Sequence, residues 1–386
     1  MRVAVIGAGI AGITAAYYIM KKGHEVTVYE KERYAGMKCS YANGGQISVS
    51  NSEVWTTWSN IGKAMKWIGR KNAPLLLRPS LDWDKAKWLW KFLWSTARND
   101  ADKRTIETIR LGIRSRRLYN TLRQNENIKF DWQMSGILHV YSNQKYFQHA
   151  KEMKDIYEEN GCDWDIKTAE ECLTIEPRLH YMNKQGLIGG IWTESDSVGD
   201  IHMFCSKMSS ILETYGVKFF YSTTVDNLNE LLQTFDKVVI ANGSDACRLV
   251  LDGDICVYPI KGYSITIPNA RNSPAVSILD DEAKIVCSRL GDRLRVAGTA
   301  EIAGHNQDVT RTRITPLLKW VARNFPGVST EHYEQWACLR PMTPDMMPRY
   351  GQSKINPKVH YHVGHGHLGW TLAPATAQCL AEHISR

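Results

Sequence analysis

Three groups of residues in this 386-residue chain have the types and spacing to do chemistry. The first is Gly7-Ala8-Gly9-Ile10-Ala11-Gly12, with Glu30 eighteen residues after the last glycine and Lys31 beside it. In such a run the first glycine permits a tight turn, the second lets a pyrophosphate approach the backbone, and the third lets a helix pack closely. The start of that helix attracts phosphate charge. Glu30 can accept hydrogen bonds from an adenosine ribose and would repel a 2′-phosphate, which speaks against NADP. Out of context the pattern is equally a tight turn with no ligand, and the flanking elements decide between the two.

The second group is two further glycine clusters. Ala42-Asn43-Gly44-Gly45-Gln46 follows the first unit closely, whereas Gly364-His365-Gly366-His367-Leu368-Gly369-Trp370-Thr371 comes some 350 residues later. Both lack bulk where a large planar ring could lie against backbone. A flavin suits this arrangement, since its ribityl arm carries the redox ring far from the adenine. A helix beginning near Gly369 would aim its positive end at the ring's N1 and C2 oxygen. The alternative is glycine loops serving only as turns.

The third is Arg340 in Cys338-Leu339-Arg340-Pro341-Met342-Thr343-Pro344-Asp345, where prolines hold the backbone extended and a guanidinium can grip a carboxylate through two parallel hydrogen bonds. A surface or structural arginine is the competing reading. His360, His362, His365 and His367 invite a metal hypothesis, but the last two fall in the glycine turn. No metal is expected.

The elements that must position these residues follow from periodicity. Residues 3–6 read as a strand, 7–12 as the glycine turn, 13–22 as a helix and 25–30 as a second strand, so a βαβ unit begins at the first residues. Strands are predicted at 137–141, 187–192, 218–225, 237–241, 258–267, 276–279, 284–288, 293–297 and 361–363. Helices are predicted at 106–122, 146–159, 201–215, 315–325 and 371–384, with irregular backbone over 40–50. The predicted class is α/β (α+β), a Rossmann-like FAD-binding domain interleaved with an antiparallel-sheet substrate domain. The first comprises 1–50, 195–255 and 335–386; the second comprises 51–194 and 256–334, with a Trp-rich basic helical insertion at 53–120.

Composition excludes several classes. With 43% apolar and 23% charged residues the chain is neither disordered nor, at a mean hydropathy of −0.35, an integral membrane protein. Residues 3–20 lack charge, but their glycines would break a signal helix, so no export signal is expected. Nine scattered cysteines without a CxxC pair imply free thiols in a reducing cytoplasm. The net charge of +8 is nearly all local, because residues 55–98 carry nine Lys and Arg against Asp82 and Asp84. Seven tryptophans lie in the same stretch, among Lys63, Lys66, Arg70, Lys71, Arg78, Lys85, Lys87 and Lys91. Indoles interleaved with cations suit a bilayer interface, and single-stranded nucleic acid could use the same chemistry. A packed helical subdomain with solvated lysines outside explains them equally. Membrane contact through 55–98 is the preferred functional reading, and no nucleic acid is expected.

Taken together, MRVAVIGAGIAGITAAYYI, YANGGQIS, KAMKWIGRKNAPLLLRP, VYPIKGYSITIP, LRPMTPD and GHGHLGWT resemble the bacterial D-amino acid dehydrogenase small subunit, within the D-amino acid oxidase superfamily of flavoproteins. The likeness runs from residue 1 to about 383. It implies FAD, oxidative deamination of D-amino acids to 2-oxo acids and ammonia, and electron delivery to a quinone or other respiratory acceptor, on the inner face of the cytoplasmic membrane. It places further cofactor contacts at Val225 and at Ala241-Asn242-Gly243, and Arg340 at the superfamily's carboxylate-binding arginine. Tyr263 becomes a candidate for assisting the substrate. Two departures stand out: 224–238 is too short for an expected hairpin, and His367 replaces a smaller residue over the flavin, which implies a reshaped pocket. A glycine- or amine-type flavin oxidase using oxygen, and a degenerate flavoprotein that binds a membrane or nucleic acid, are the competing functions.

Overall fold

The computed structural model describes residues 1–67, 75–78, 80–249, 253 and 255–386, without the Lys63 side chain; Arg70 and Lys71 of the basic stretch lie outside the described residues. Its first sheet grows from strands that are apolar at nearly every position, Arg2–Ile6 and Lys237–Ile240 above all. Such strands need cover on both faces, which is how parallel sheets read. The six strands run in the order Arg349–Gln352, Val359–Val363, Lys237–Ile240, Arg2–Ile6, Glu25–Tyr29, Lys218–Phe220. All neighbours are parallel except the first pair. Helices Ile10–Lys21 and Ile201–Thr214 pack together over one face, joined there by the late helix Gly369–Ile384.

The second sheet has nine strands and is mostly antiparallel. Its main order is Glu334–Met342, Tyr258–Ile267, Arg293–Ile302, Ile285–Leu290, Ser277–Asp280, Ile137–Tyr141, Gly189–Thr193, Asp165–Thr168, with Leu75–Leu77 added beside Ala300–Ile302. Helix Arg311–Asn324 covers one face through Ile314, Leu317 and Val321. The long strand Tyr258–Ile267 is buried throughout.

Several boundaries differ from the sequence reading for physical reasons. Glu334–Met342 pairs along its whole length with Tyr258–Thr266, so 335–342, assigned above to the first domain, is a strand of the second sheet. Pro341 is tolerated because this is an edge strand, which can lack one donor. The strand predicted at 218–225 stops at Phe220, because Ser222 turns at φ +52 and its N–H bonds Glu32. Between 224 and 238, read above as too short for the hairpin that the resemblance implies, the helix Asn229–Thr234 makes the connection. The insertion contains helices Trp58–Trp67, Trp83–Ala97 and Ala101–Asn125, and the short strand Leu75–Leu77. Among the described residues no helix is long and apolar enough to cross a membrane.

Candidate cofactor and substrate site

Between the two sheets lies a cavity of about 1060 Å³, at the upper end for a ligand site and roomy enough for a dinucleotide with a small substrate. Its walls bring together Gly7, Gly9, Ile10, Ala11, Glu30, Lys31, Ala42, Asn43, Gly44, Gln46, Val225, Ala241, Asn242 and Gly243 from the early and middle segments. From the late ones come Arg340 and the run Gly366, His367, Leu368, Gly369, Trp370, Thr371. The sequence-predicted positions Ala8, Gly12, Gly45 and Gly364 stand behind this wall rather than on it.

The end nearest the first strand is made of backbone. Helix Ile10–Lys21 starts at Gly9, which offers no side-chain cap, and has no acidic residue in its first turn; the Ile10 N–H is taken by Ser40 Oγ at 3.0 Å, and the first-turn amides after it keep their capacity for an anion. Gly12 has no freedom to be anything else, since an added Cβ would lie 1.7 Å from the carbonyl oxygen of Gly7. Glu30 accepts the N–H of Ala8 at 2.6 Å and of Glu32 at 2.9 Å, one on each oxygen, and each oxygen retains a lone pair toward the cavity. Burial raises the carboxyl above its usual range, and those two N–H bonds pull against the shift. Lys31 is taken by Asp245 at 2.6 Å on the rim. Asp245 is itself held well below the usual range, first by its hydrogen bond to His305 and then by Lys31. Asn242 contributes a buried carbonyl oxygen with no hydrogen bond, an acceptor turned toward a missing donor.

The loop 42–44 is clamped from behind. The carbonyls of Ala42, Asn43 and Gly44 accept from Ser264 Oγ at 2.6 Å, Arg295 Nη1 at 3.0 Å and Ser288 Oγ at 2.8 Å. These bonds fasten the loop to the second sheet. Opposite it, helix Gly369–Ile384 begins without a side-chain cap, and Thr371 Oγ1 accepts the N–H of Ser48 at 3.1 Å. The Trp370 ring is not part of a lid; it packs edge-on among Tyr119, Phe130 and Phe204 in the first core.

At the far end the Arg340 side chain makes no hydrogen bond or ion pair with any described residue and lines the cavity. Its guanidinium lies flat on Gly262 of the neighbouring strand, where an added Cβ would come within 2.4 Å of Nη2. Sequence reading missed Gly262, although a glycine inside a strand is a signal of close approach. His367 stacks on Trp55 at 4.6 Å between centroids. Its ring nitrogens are buried with no well-formed hydrogen bond, the Asn51 backbone making only a weak one, and burial reinforced by Arg340 pushes its pKa down to about 3. The ring is therefore neutral at physiological pH. Cys39 and Cys338 lie together in the same wall, both free thiols. The Cys39 thiol donates to the Leu339 carbonyl at 2.7 Å, and the closeness of the two sulfurs, helped by Arg340, brings Cys338 down to about 7 and pushes Cys39 up.

Tyr263 is committed to a partner other than the substrate that the resemblance implies. The Tyr263 hydroxyl donates to buried Glu301, which also pairs with Arg78, and its ring belongs to the core under helix Arg311–Asn324. Tyr263 lines the cavity but offers no free phenol to a substrate, because its hydroxyl is committed to Glu301. His362 and His365 share Thr376 Oγ1 at 2.8 and 2.9 Å, and burial keeps both neutral.

Comparison with known proteins gives this geometry its context. Residues 2–383 match the model of the DAO family, described as FAD dependent oxidoreductase. The chain belongs to that family. A curated relative, D-amino acid dehydrogenase 3 of Mesorhizobium japonicum, is 44% identical over the full chain and 97% of its own length. D-amino acid dehydrogenase of Paramagnetospirillum magneticum is 39% identical over the full chain and 95% of its own. Glycine oxidase from Bacillus cereus superposes with a TM-score of 0.75 at 19% identity, covering 99% of this chain and 94% of that one. L-proline dehydrogenase from P. horikoshii gives 0.76 at 18%, covering 99% and 92%. At those identities the structural likeness speaks for the fold.

FAD fits what the residues provide. The first-turn amides beyond Ile10 suit the pyrophosphate, Glu30 the ribose, the orphaned Asn242 oxygen a donor on the ligand, and the uncapped start of Gly369–Ile384 the electron-rich edge of the ring. When bound, the flavin supplies a two-electron acceptor.

Proposed function

We propose that this protein oxidises D-amino acids to 2-oxo acids and ammonia, with electrons leaving to a quinone-type acceptor at a membrane surface. The observation that carries the reading is Arg340, an unpaired cation seated on Gly262 at the flavin-ring end of the cavity. A guanidinium so placed binds a carboxylate in two parallel bonds and fixes the substrate's α-carbon in a near-attack position. Neutral His367, stacked on Trp55 in the cavity wall, sheds water from that position. No side chain is assigned as a general base; a substrate bound with its amine unprotonated needs none. The imino acid then hydrolyses. The choice of D-amino acids rests on the names of relatives up to 44% identical.

The acceptor and the location rest on the outer face of the insertion, where Trp58, Trp83, Trp90 and Trp94 are exposed beside Lys87 and Lys91. Indoles among ammonium groups are suited to lipid headgroups.

The test is anaerobic mixing of the yellow protein with a panel of D- and L-amino acids. Bleaching by D-amino acids alone is the expected result; bleaching only by L-amino acids or glycine, or none at all, overturns the reading. Stoichiometric peroxide on admitting air would replace the quinone acceptor with oxygen.

A further inference from the structure

The cavity has two kinds of wall beyond Arg340. From the strands around 277–290 and helix Gln144–Glu152 hang ion pairs, Asp281 with Lys284 at 2.7 Å and, from helix to loop, His149 with Glu53 at 2.9 Å. That side suits a water-borne zwitterion. The other side is built by edge strand Leu75–Leu77 and helices Trp58–Trp67 and Trp83–Ala97, and it is largely apolar: Ile61, Leu75, Leu77, Leu89 and Phe92 line it, with Asn60 beside them. Its inner end is Ile260, directly opposite Arg340 in the strand register, and Met342 two residues further on. Its outer end is marked by Met65 and Leu93, which line the same cavity and are also exposed. Around that mouth stand the exposed indoles of Trp58, Trp90 and Trp94.

An apolar passage from an indole-studded surface to a redox centre gives an amino acid's charged groups nothing, whereas it offers every surface a tailed amphiphile needs. We propose that this arm is the binding site of a lipid-borne quinone, its head beside Ile260 and Met342 and its tail running between the two helices to the mouth at Met65 and Leu93. This deepens the reading above and rests on it for the source of electrons. Oxidation of the amino acid to the imino acid releases two electrons and two protons. The quinone takes up both pairs, its two carbonyls becoming hydroxyls, and leaves as the hydroquinone.

Two measurements on the holoenzyme test the site. A photoreactive quinone with a ten-carbon tail should label peptides within 58–67 or 83–97, with labelling suppressed by unlabelled decyl quinone and not by a D-amino acid. Label confined elsewhere overturns the proposal. In Phe92→Asp, and separately in Leu89→Gln, kcat/KM for the decyl quinone relative to that for a tail-less quinone should fall at least tenfold. A preserved ratio, with KM rising instead for bulky apolar D-amino acids, would assign the arm to the substrate side chain and overturn the proposal. Labelling needs no turnover, so a protein that carries the label on 83–97 yet oxidises no D-amino acid loses the proposed reaction and keeps the site.

Discussion

The two ends of the cavity are made of different material. Around Gly7 and Gly9, with Gly12 behind them, the ligand would meet main chain, with Glu30 the principal side chain and even that one braced by the N–H groups of Ala8 and Glu32. Around Arg340 it would meet side chains contributed by segments far apart in sequence: Trp55, Gly262 as a seat, Arg340 itself and His367. A main-chain site tolerates almost no added atom but needs no charge of its own. A side-chain site tolerates rearrangement of its supports and fails when one charge is removed.

That contrast can be broken by substitution. Gly12→Ala puts a methyl carbon into the Gly7 carbonyl, backbone against backbone with nothing to give way; a destabilisation above about 3 kcal/mol is expected. It is read as loss of bound flavin and a lowered thermal midpoint. Arg340→Ala should leave the flavin bound and lower kcat/KM for D-amino acids at least about 100-fold, as two charge-assisted hydrogen bonds are worth roughly 3 kcal/mol or more. Steady-state kinetics on the yellow variant decide it, and wild-type kinetics would refute the role. Gly262→Ala sharpens the comparison, because the atom it meets is the end of a flexible side chain. Folding and flavin content should survive while KM rises about tenfold, on the scale of one weakened charged hydrogen bond. Glu30→Gln is the mildest: FAD affinity should fall about fivefold, measured by titrating the apoprotein, with KM for the amino acid unmoved.

Legibility in the sequence follows the same division. The βαβ unit and its glycines were readable because their signals are local, spacing within thirty residues. Arg340 was readable through its prolines, although they also disguised the strand it sits on. Tyr263 lines the cavity, yet nothing local in the sequence shows that Glu301 takes its hydroxyl, and the bulge between Gly262 and Tyr263 leaves no mark in the composition. Gly262, Trp55 and the Cys39–Cys338 pair become neighbours of the site only through pairings between strands and loops distant along the chain. The apolar arm had its helices predicted, while the strand Leu75–Leu77 that closes one side is too short to carry a period.

The late helix Gly369–Ile384 packs on the helix that follows the first glycines, and the strand before it lies inside the first sheet, beside Lys237–Ile240. A ribosome therefore makes one wall of the pocket first and must translate some 350 further residues before the opposite wall exists. Flavin capture is consequently a late event in biosynthesis, and nascent chains stalled before residue 364 should remain colourless however much FAD surrounds them.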